Sequence, residues 1–196
     1  MTDSELEQLR RFCEGDLHAY ETFYAVYGQR IYRFCHRLCS NSSDAEDLTQ
    51  EVFLAAFQGR RKFQGRASLT TWIYRIALYR CRARLASPNY CNIPLPDEET
   101  SGVLTVDPMP SAIERIALEH AIAALPISLR ETFLLVKAEG LTCREAASVL
   151  DIPIGTVKYR IHEASGRLRE LLALDMDVCR SENLEALAAG EVIHEM

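Results

Sequence analysis

Between Glu51 and Asp97 the chain holds no acidic residue, yet Arg60, Arg61, Lys62, Arg66, Arg75, Arg80, Arg82 and Arg84 all fall there. Phe63, Trp72, Tyr74 and Tyr79 are interleaved with them. A local cationic excess without counter-charges is the electrostatic footprint of a polyanion partner. Guanidinium and ammonium groups neutralise phosphate, and aromatic rings give unstacked bases a surface to rest on. This is the chemistry of holding a nucleic acid. The overall charge of −6 argues the other way, but its distribution along the chain reverses that argument.

Two further constellations flank this one. Upstream, Asp44, Asp47 and Glu51 share one face of an expected helix, while Leu48, Val52 and Ala55 share another at i, i+4 and i+7. An acidic helix face is most often merely solvated, so spacing alone makes it a weak pointer to a partner. Downstream, the run from Leu125 to Leu172 has the form of a helix-turn-helix. Thr142 is placed to cap a helix bearing the small Ala146 and Ala147, Asp151-Ile152-Pro153-Ile154-Gly155 breaks it, and Thr156 is placed to cap the next. Lys158, Tyr159 and His162 then fall near the outer N-terminal surface of that helix, where major-groove contacts are made, with Val157, Ile161 and Leu168 facing inward.

Groups that make and break bonds are missing from these patterns. There is no phosphate-cradling glycine loop, nucleophile motif or metal-ligand set, and His18, His36, His120, His162 and His194 are scattered, so neither an enzyme nor a cofactor is expected. The seven cysteines are dispersed, and reduced thiols are the default. Cys35 and Cys39 share a helix face, but no second pair completes a zinc site. The acidic N-terminus and the absence of any long apolar run predict a cytoplasmic protein with no membrane insertion.

The elements that must position these residues are helices almost throughout. Apolar residues recur at three and four, and Ser4/Glu7, Ser43/Glu46, Ser111/Glu114, Ser128/Glu131 and Thr142/Glu145 all fit the capping-box pattern. The stretch from Ser87 to Pro110 contains Pro88, Pro94, Pro96, Pro108, Pro110 and Gly102, which deny helix propagation. The expectation is an all-α protein of two small helical domains, residues 1–86 and 111–174, joined by a flexible proline-containing linker, 87–110. The second domain is the helix-turn-helix, and an acidic tail, 175–196, follows as a short helix or as disorder.

The run Asp44-Ala45-Glu46-Asp47-Leu48-Thr49-Gln50-Glu51-Val52-Phe53, then Phe63-Gln64-Gly65, then Thr71-Trp72-Ile73-Tyr74-Arg75-Ile76-Ala77 resembles the second conserved region of extracytoplasmic-function sigma factors. Glu139-Gly140-Leu141-Thr142 and Ile152-Pro153-Ile154-Gly155-Thr156-Val157-Lys158 resemble their fourth region, and Leu125-Pro126 fits its opening. The likeness runs from about Tyr20 to Leu172. It implies a subunit that gives RNA polymerase its promoter choice. Asp44, Asp47, Leu48, Gln50 and Glu51 would dock on the clamp helices of the largest core polymerase subunit, and the flap would be a second polymerase contact.

Arg60, Arg61, Lys62, Phe63, Arg66, Ser68, Trp72, Arg75, Tyr79, Arg80 and Arg82 would hold the opened −10 element of promoter DNA. Arg144, Gly155, Thr156, Lys158, Tyr159, Arg160 and His162 would read the −35 element. An anti-sigma factor is the implied regulator. The sequence departs from the family at Leu78-Tyr79-Arg80, where many members place an Asn, and at Tyr159, His162 and Glu163, so neither promoter sequence carries over. A helix-turn-helix regulator without a sigma role is the rival reading. It would need a receiver or ligand-binding front half, and residues 20–85 show neither alternating strands nor a pocket signature.

Overall fold

The computed structural model describes residues 10–63, 65, 67–87 and 112–188. Gln64, Arg66, the predicted linker beyond Ser87, the pairs Ser4/Glu7 and Ser111/Glu114, and the end of the tail lie outside the described residues. Side chains at 112–114 and 174–188 are likewise outside them. Every regular element among the described residues is helical.

The first domain is built on three helices, α1 (Leu17–Cys39), α2 (Ser42–Gly59) and α3 (Leu69–Leu85), with a 3₁₀ turn at Arg60–Lys62 leading out of α2. Asp16 starts α1 by accepting from His18 N at 2.8 Å and Ala19 N at 3.2 Å, and Ser40 ends it in a left-handed turn. The buried positions follow helical spacing: Phe23, Ile31, Phe34, Cys35 and Leu38 on α1, Ala45, Leu48, Val52, Phe53 and Ala56 on α2, and Ile73, Tyr74, Ala77, Leu78 and Cys81 on α3. Each fully buried Ile, Leu or Phe contributes about 1.5–3 kcal/mol of transfer free energy. The inward stripe of α2 is centred on Ala56, which is fully buried, and the expected Ala55 is half-buried beside it.

The second domain comprises α4 (Ala112–Ala124), α5 (Ile127–Phe133) running on into a π-helical turn (Leu134–Ala138), α6 (Cys143–Leu150) and α7 (Ile154–Ala188). Its core joins Ile122, Leu129, Leu134, Leu135, Val149, Leu150, Val157 and Leu168. Gly140 at φ +75° makes the turn before α6, a conformation that a side chain would strain.

Helix starts correct the sequence reading in three places. At Thr142/Glu145 both halves of the capping box form. By contrast, α2 is capped by Asn41, whose Oδ1 accepts from Asp44 N at 2.9 Å, and Ser43 lies inside the first turn. Helix α5 starts behind Pro126, with its φ of −51°, which leaves Glu131 for another partner. Helix α7 opens at Ile154, two residues before Thr156, because the Pro153 carbonyl accepts from Thr156 N at 3.0 Å and Val157 N at 3.2 Å. The backbone of α7 then continues without a break to Ala188, so most of the predicted acidic tail extends this helix.

Candidate nucleic-acid interface

The capping and packing of α3 decide what it can offer. Ser68 caps it, its Oγ accepting from Thr71 N at 3.1 Å, and the buried side of α3 faces α1 and α2. Tyr79 is left 71% exposed, with Arg75 and Arg82 also exposed. Trp72 is half-buried, its ring 5.1 Å from Phe63 and 6.3 Å from Phe12, so one face is packed within an aromatic cluster at the head of α3. Arg61 and Lys62 project from the 3₁₀ turn into solvent, whereas the Arg60 guanidinium lies 3.8 Å over the Phe57 ring. Arg66 lies outside the described residues.

The acidic face of α2 does not stand free of these cations. Asp44 pairs with Arg84, and Glu51 lies 3.5 Å from both Arg80 and Arg84. Asp47 and Gln50 are exposed and have no such ties among the described residues, while Leu48, 1% exposed, belongs to the core and supports the face from beneath. The expected polymerase and promoter surfaces are thus joined by ion pairs at the C-terminal end of α3. The sequence alone gives Arg84 no role beyond its place in the basic run.

More of α3 is engaged by the second domain. Arg82 forms a two-pronged pair with Glu131, Nε to Oε1 at 2.8 Å and Nη2 to Oε2 at 2.7 Å. The Glu131 side chain is 4% exposed. Arg75 donates to the backbone carbonyl and, at 3.0 Å, to the hydroxyl of Ser148 on α6. Ser68 donates to Glu145 at 3.4 Å. Glu139, just before the α6 turn, accepts from the Tyr74 hydroxyl, and its carboxylate is 3.5 Å from Arg30 Nε. Burial, reinforced by the Glu139 carboxylate, pushes the Tyr74 phenol far above its ordinary range, so it remains a hydrogen-bond donor.

Arg37, 9% exposed, grips Glu119 of α4 at 2.7–3.1 Å, and Arg130 Nη1 donates to the Leu38 carbonyl at 3.1 Å. Between α3 and α6 lies a cleft of about 330 Å³ lined by Arg75, Tyr79, Arg82 and Asp151 among others. The residues that tie the domains together, Arg30, Arg37, Tyr74, Glu119, Glu131 and Glu139, have no such role in the sequence reading.

The recognition face of the helix-turn-helix is open by comparison. Arg144, Gly155, Lys158, Tyr159 and His162 are exposed, with Tyr159 at 65%, and Thr156 and Arg160 are half-buried. Val157 and Leu168 face inward as expected, and Ile161 is half-buried. Glu163 pairs with Arg167 at 3.0 Å, so its charge is partly answered within α7. Backbone and side-chain hydrogen bonds from Thr142 hold the Glu145 carboxyl below the usual glutamate range. Among the described residues, no group of three His, Cys, Asp or Glu side chains is arranged to hold a metal, and no helix is long and apolar enough to cross a membrane.

Comparison with known proteins fits this two-part geometry. Residues 23–88 match the family model of Sigma-70 region 2, and residues 115–168 that of Sigma-70, region 4. The chain is 30% identical over 178 residues to the ECF RNA polymerase sigma factor SigW of Bacillus subtilis, a match covering 85% of this chain and 95% of that one. It is 34% identical over 158 residues to the ECF RNA polymerase sigma factor SigE of Mycolicibacterium smegmatis, covering 75% of this chain and 59% of that longer protein. Among solved structures, CnrH in complex with the cytosolic domain of CnrY superposes with a TM-score of 0.68 at 21% identity, over 88% of this chain and 99% of the other. The sigma factor RpoE of Bartonella quintana, solved with the anti-sigma factor NepR, gives 0.65 at 22%, over 80% and 98%. At these identities the two structures speak for the fold.

Proposed function

The chain belongs to the extracytoplasmic-function class of the sigma-70 family, and from that premise we propose which of its surfaces hold polymerase and promoter. As an alternative sigma factor it directs RNA polymerase to selected promoters, binding core polymerase and promoter DNA. The α2 face of Asp44, Asp47, Gln50 and Glu51 is the polymerase-docking surface. The strip from Arg61 through Trp72 to Tyr79, Arg80 and Arg82 receives the unpaired −10 strand, its cations meeting phosphates and its rings meeting bases. Lys158, Tyr159 and His162 at the start of α7 enter the major groove at the −35 element, with Arg144 and Arg160 placed for phosphates.

The observation that carries this assignment is the division of labour between the two matched units. The region 2 match contains the cationic and aromatic helix, and the region 4 match contains the open helix-turn-helix. A regulator with no sigma role would have no use for the first of these.

The closed arrangement adds a step. Arg75 and Arg82 cannot serve both the second domain and a DNA strand, so the domains part before the −10 element is held. Polymerase is the agent of that parting: docking on the acidic face of α2 also takes Asp44 and Glu51 away from Arg84 and Arg80, leaving those cations for phosphate. An anti-sigma partner is proposed as well, acting on this same equilibrium by covering the polymerase-binding surfaces. Polymerase and regulator would then compete for one face.

The test is transcription in vitro with purified core polymerase over a fragmented genomic library, with and without the protein, mapping new transcript starts. New starts that share paired upstream motifs establish the assignment. The Trp72→Ala chain should lose them with polymerase binding intact, and Asp47→Lys should lose polymerase binding itself. If both variants supported normal starts, the assignment would fail.

A further inference from the structure

Two carboxylates of the second domain reach α3 from one run of chain: Glu131 grips Arg82, and Glu139 accepts from the Tyr74 hydroxyl. They stand eight residues apart. In a straight α-helix, at about 100° per residue, that spacing would turn them about 80° away from each other. The π-helical turn between them, Leu134–Ala138, removes most of that difference. The Glu139 amide donates to the Leu134 carbonyl, five residues back, at 2.9 Å, and the Leu141 amide reaches the Leu135 carbonyl at 3.0 Å. Bonding five residues back takes up one residue more than bonding four back, which sets Glu139 back by about 100°, to within about 20° of Glu131.

A π turn is a rare departure from the α register, so one inside a packed helix needs groups that hold it. Here such groups sit on the first domain. Arg30 Nη2 of α1 donates to the Glu139 carbonyl at 2.8 Å, its Nε lies 3.5 Å from the carboxylate, and Tyr74 of α3 donates to that same carboxylate. Tyr74 is fully buried and the Glu139 side chain is 5% exposed, so these contacts are made away from water. Beyond the turn, Gly140 follows at φ +75° with nothing within 4 Å of where a Cβ would stand, which leaves the chain room to rotate there.

We propose that the π turn is a register switch for the closed arrangement: while Arg30 and Tyr74 hold Glu139 the extra residue stays in the turn, and when they let go the turn relaxes to an α-helix that swings Glu139 off the face of Glu131. Relaxation makes the parting of the domains self-sustaining, because the Glu139 carboxylate no longer points at its partners. It also passes the motion on, since Thr142, the cap of α6, lies three residues beyond Glu139. The use of the switch rests on the parting proposed above. The switch itself is tested without promoter DNA or polymerase, so a failure of promoter binding and a failure of the switch are told apart.

The experiment reads the hydrogen-bond register of the full chain by nuclear magnetic resonance, from couplings carried across each bond between an amide nitrogen and the carbonyl that accepts from it. In the unmutated chain the Glu139 amide should couple to the Leu134 carbonyl. With both holders removed, in Arg30→Gln/Tyr74→Phe, that coupling should be lost and one to Leu135 should replace it. Persistence of the Leu134 coupling in this variant would overturn the inference, because the second domain would then fix the turn by its own packing. So would a Leu135 coupling already present in the unmutated chain. Deleting Lys137, which is exposed within the turn, gives the complementary test. An unbroken α-helix then puts Glu139 where the π turn puts it now, so the distance between spin labels on α2 and α7 should stay at the parent's value. A lengthened distance in a deletion chain that still melts cooperatively would show that the extra residue does not set the register of Glu139. Should the deletion cost the fold, the couplings decide alone.

Discussion

The outward faces of α3 and α7 both carry guanidinium and phenol groups, but the folded chain treats them differently. On α7, Lys158, Tyr159 and His162 stand in solvent, and among the described residues no acidic group of the other domain pairs with them. On α3, Arg75 and Arg82 are engaged by Ser148 and Glu131 across the domain boundary, and Arg80 and Arg84 by the acids of α2. The acids stand where phosphates are proposed to lie. One proposed DNA-binding face is open in the free protein and the other is answered by the protein's own carboxylates, so the two should differ in when they become available.

Removing Glu139 tests the tie most severely. Its side chain is 5% exposed, and its loss leaves the buried Tyr74 hydroxyl without its acceptor and takes the carboxylate from the Arg30 guanidinium, 33% exposed, which keeps its 2.8 Å bond to the backbone carbonyl of residue 139. Stripping one partner from a buried pair costs about 3–5 kcal/mol, which the exposure of Arg30 reduces to about 2–3. Glu139→Ala should therefore lower Tm by about 5–10 °C and lengthen the distance between spin labels on α2 and α7. If neither moved, the closed arrangement would not depend on this contact.

Two substitutions break the same ion pair with opposite consequences for DNA. Glu131→Gln removes the charge that holds Arg82, whose side chain is 47% exposed and can rehydrate, so closure weakens by about 1–2 kcal/mol. Affinity of the free protein for a single-stranded −10 oligonucleotide, read by fluorescence anisotropy, should rise about 5- to 30-fold. Arg82→Ala also opens the pair, leaving the buried Glu131 carboxylate without its cation, but deletes the phosphate contact, so the rise should shrink or vanish. Equal gains in both would show that Arg82 does not meet the strand. On the open face, Lys158→Ala should weaken duplex binding by about 1 kcal/mol and reduce the salt slope by about one charge. That loss should be the same for free protein and holoenzyme, because α7 has nothing to release first.

The contrast also explains which features are legible in the chain. Helix-turn-helix residues act through local spacing, so the sequence pattern by itself marks Ala146, Ala147, Val157 and Leu168 as the buried side and Lys158 and Tyr159 as the open side. The ties across the domains link residues far apart in sequence, such as Arg37 and Glu119, and no local pattern registers them. A trace is nonetheless present. Glu131 falls at i, i+3 and i+4 with Leu134 and Leu135, an acid on a buried stripe that has to find a cation. Its match to a Ser128 capping box conceals this. The cap of α2 is misplaced for a simpler reason: Asn41 and Ser43 are both good caps, and the earlier one forms. The π-helical turn at Leu134–Ala138 has no sequence signature of this kind.

The capping box of α6 gives the smallest effect and a test of how tightly the open face is built. Thr142 Oγ1 accepts from Glu145 N at 3.2 Å while the Glu145 carboxylate accepts from Thr142 N at 3.0 Å. Thr142→Ala should cost about 1 kcal/mol, a fall in Tm of about 2–4 °C. It should also change the response to acid. The Glu145 carboxyl is held below its ordinary value in the folded chain, first by the Thr142 backbone bond and then by its hydroxyl. A carboxyl depressed on folding stabilises the fold fully above its unfolded pKa and loses that contribution as pH falls through the folded one. The difference in Tm between parent and Thr142→Ala should thus be largest near neutrality and narrow below the usual glutamate range, because both chains then carry a protonated Glu145. A constant difference across that window would mean that the hydroxyl caps α6 without help from the carboxylate. Because Ser68 of α3 also reaches Glu145, at 3.4 Å, the same titration in Ser68→Ala separates the cap from the tie between the domains.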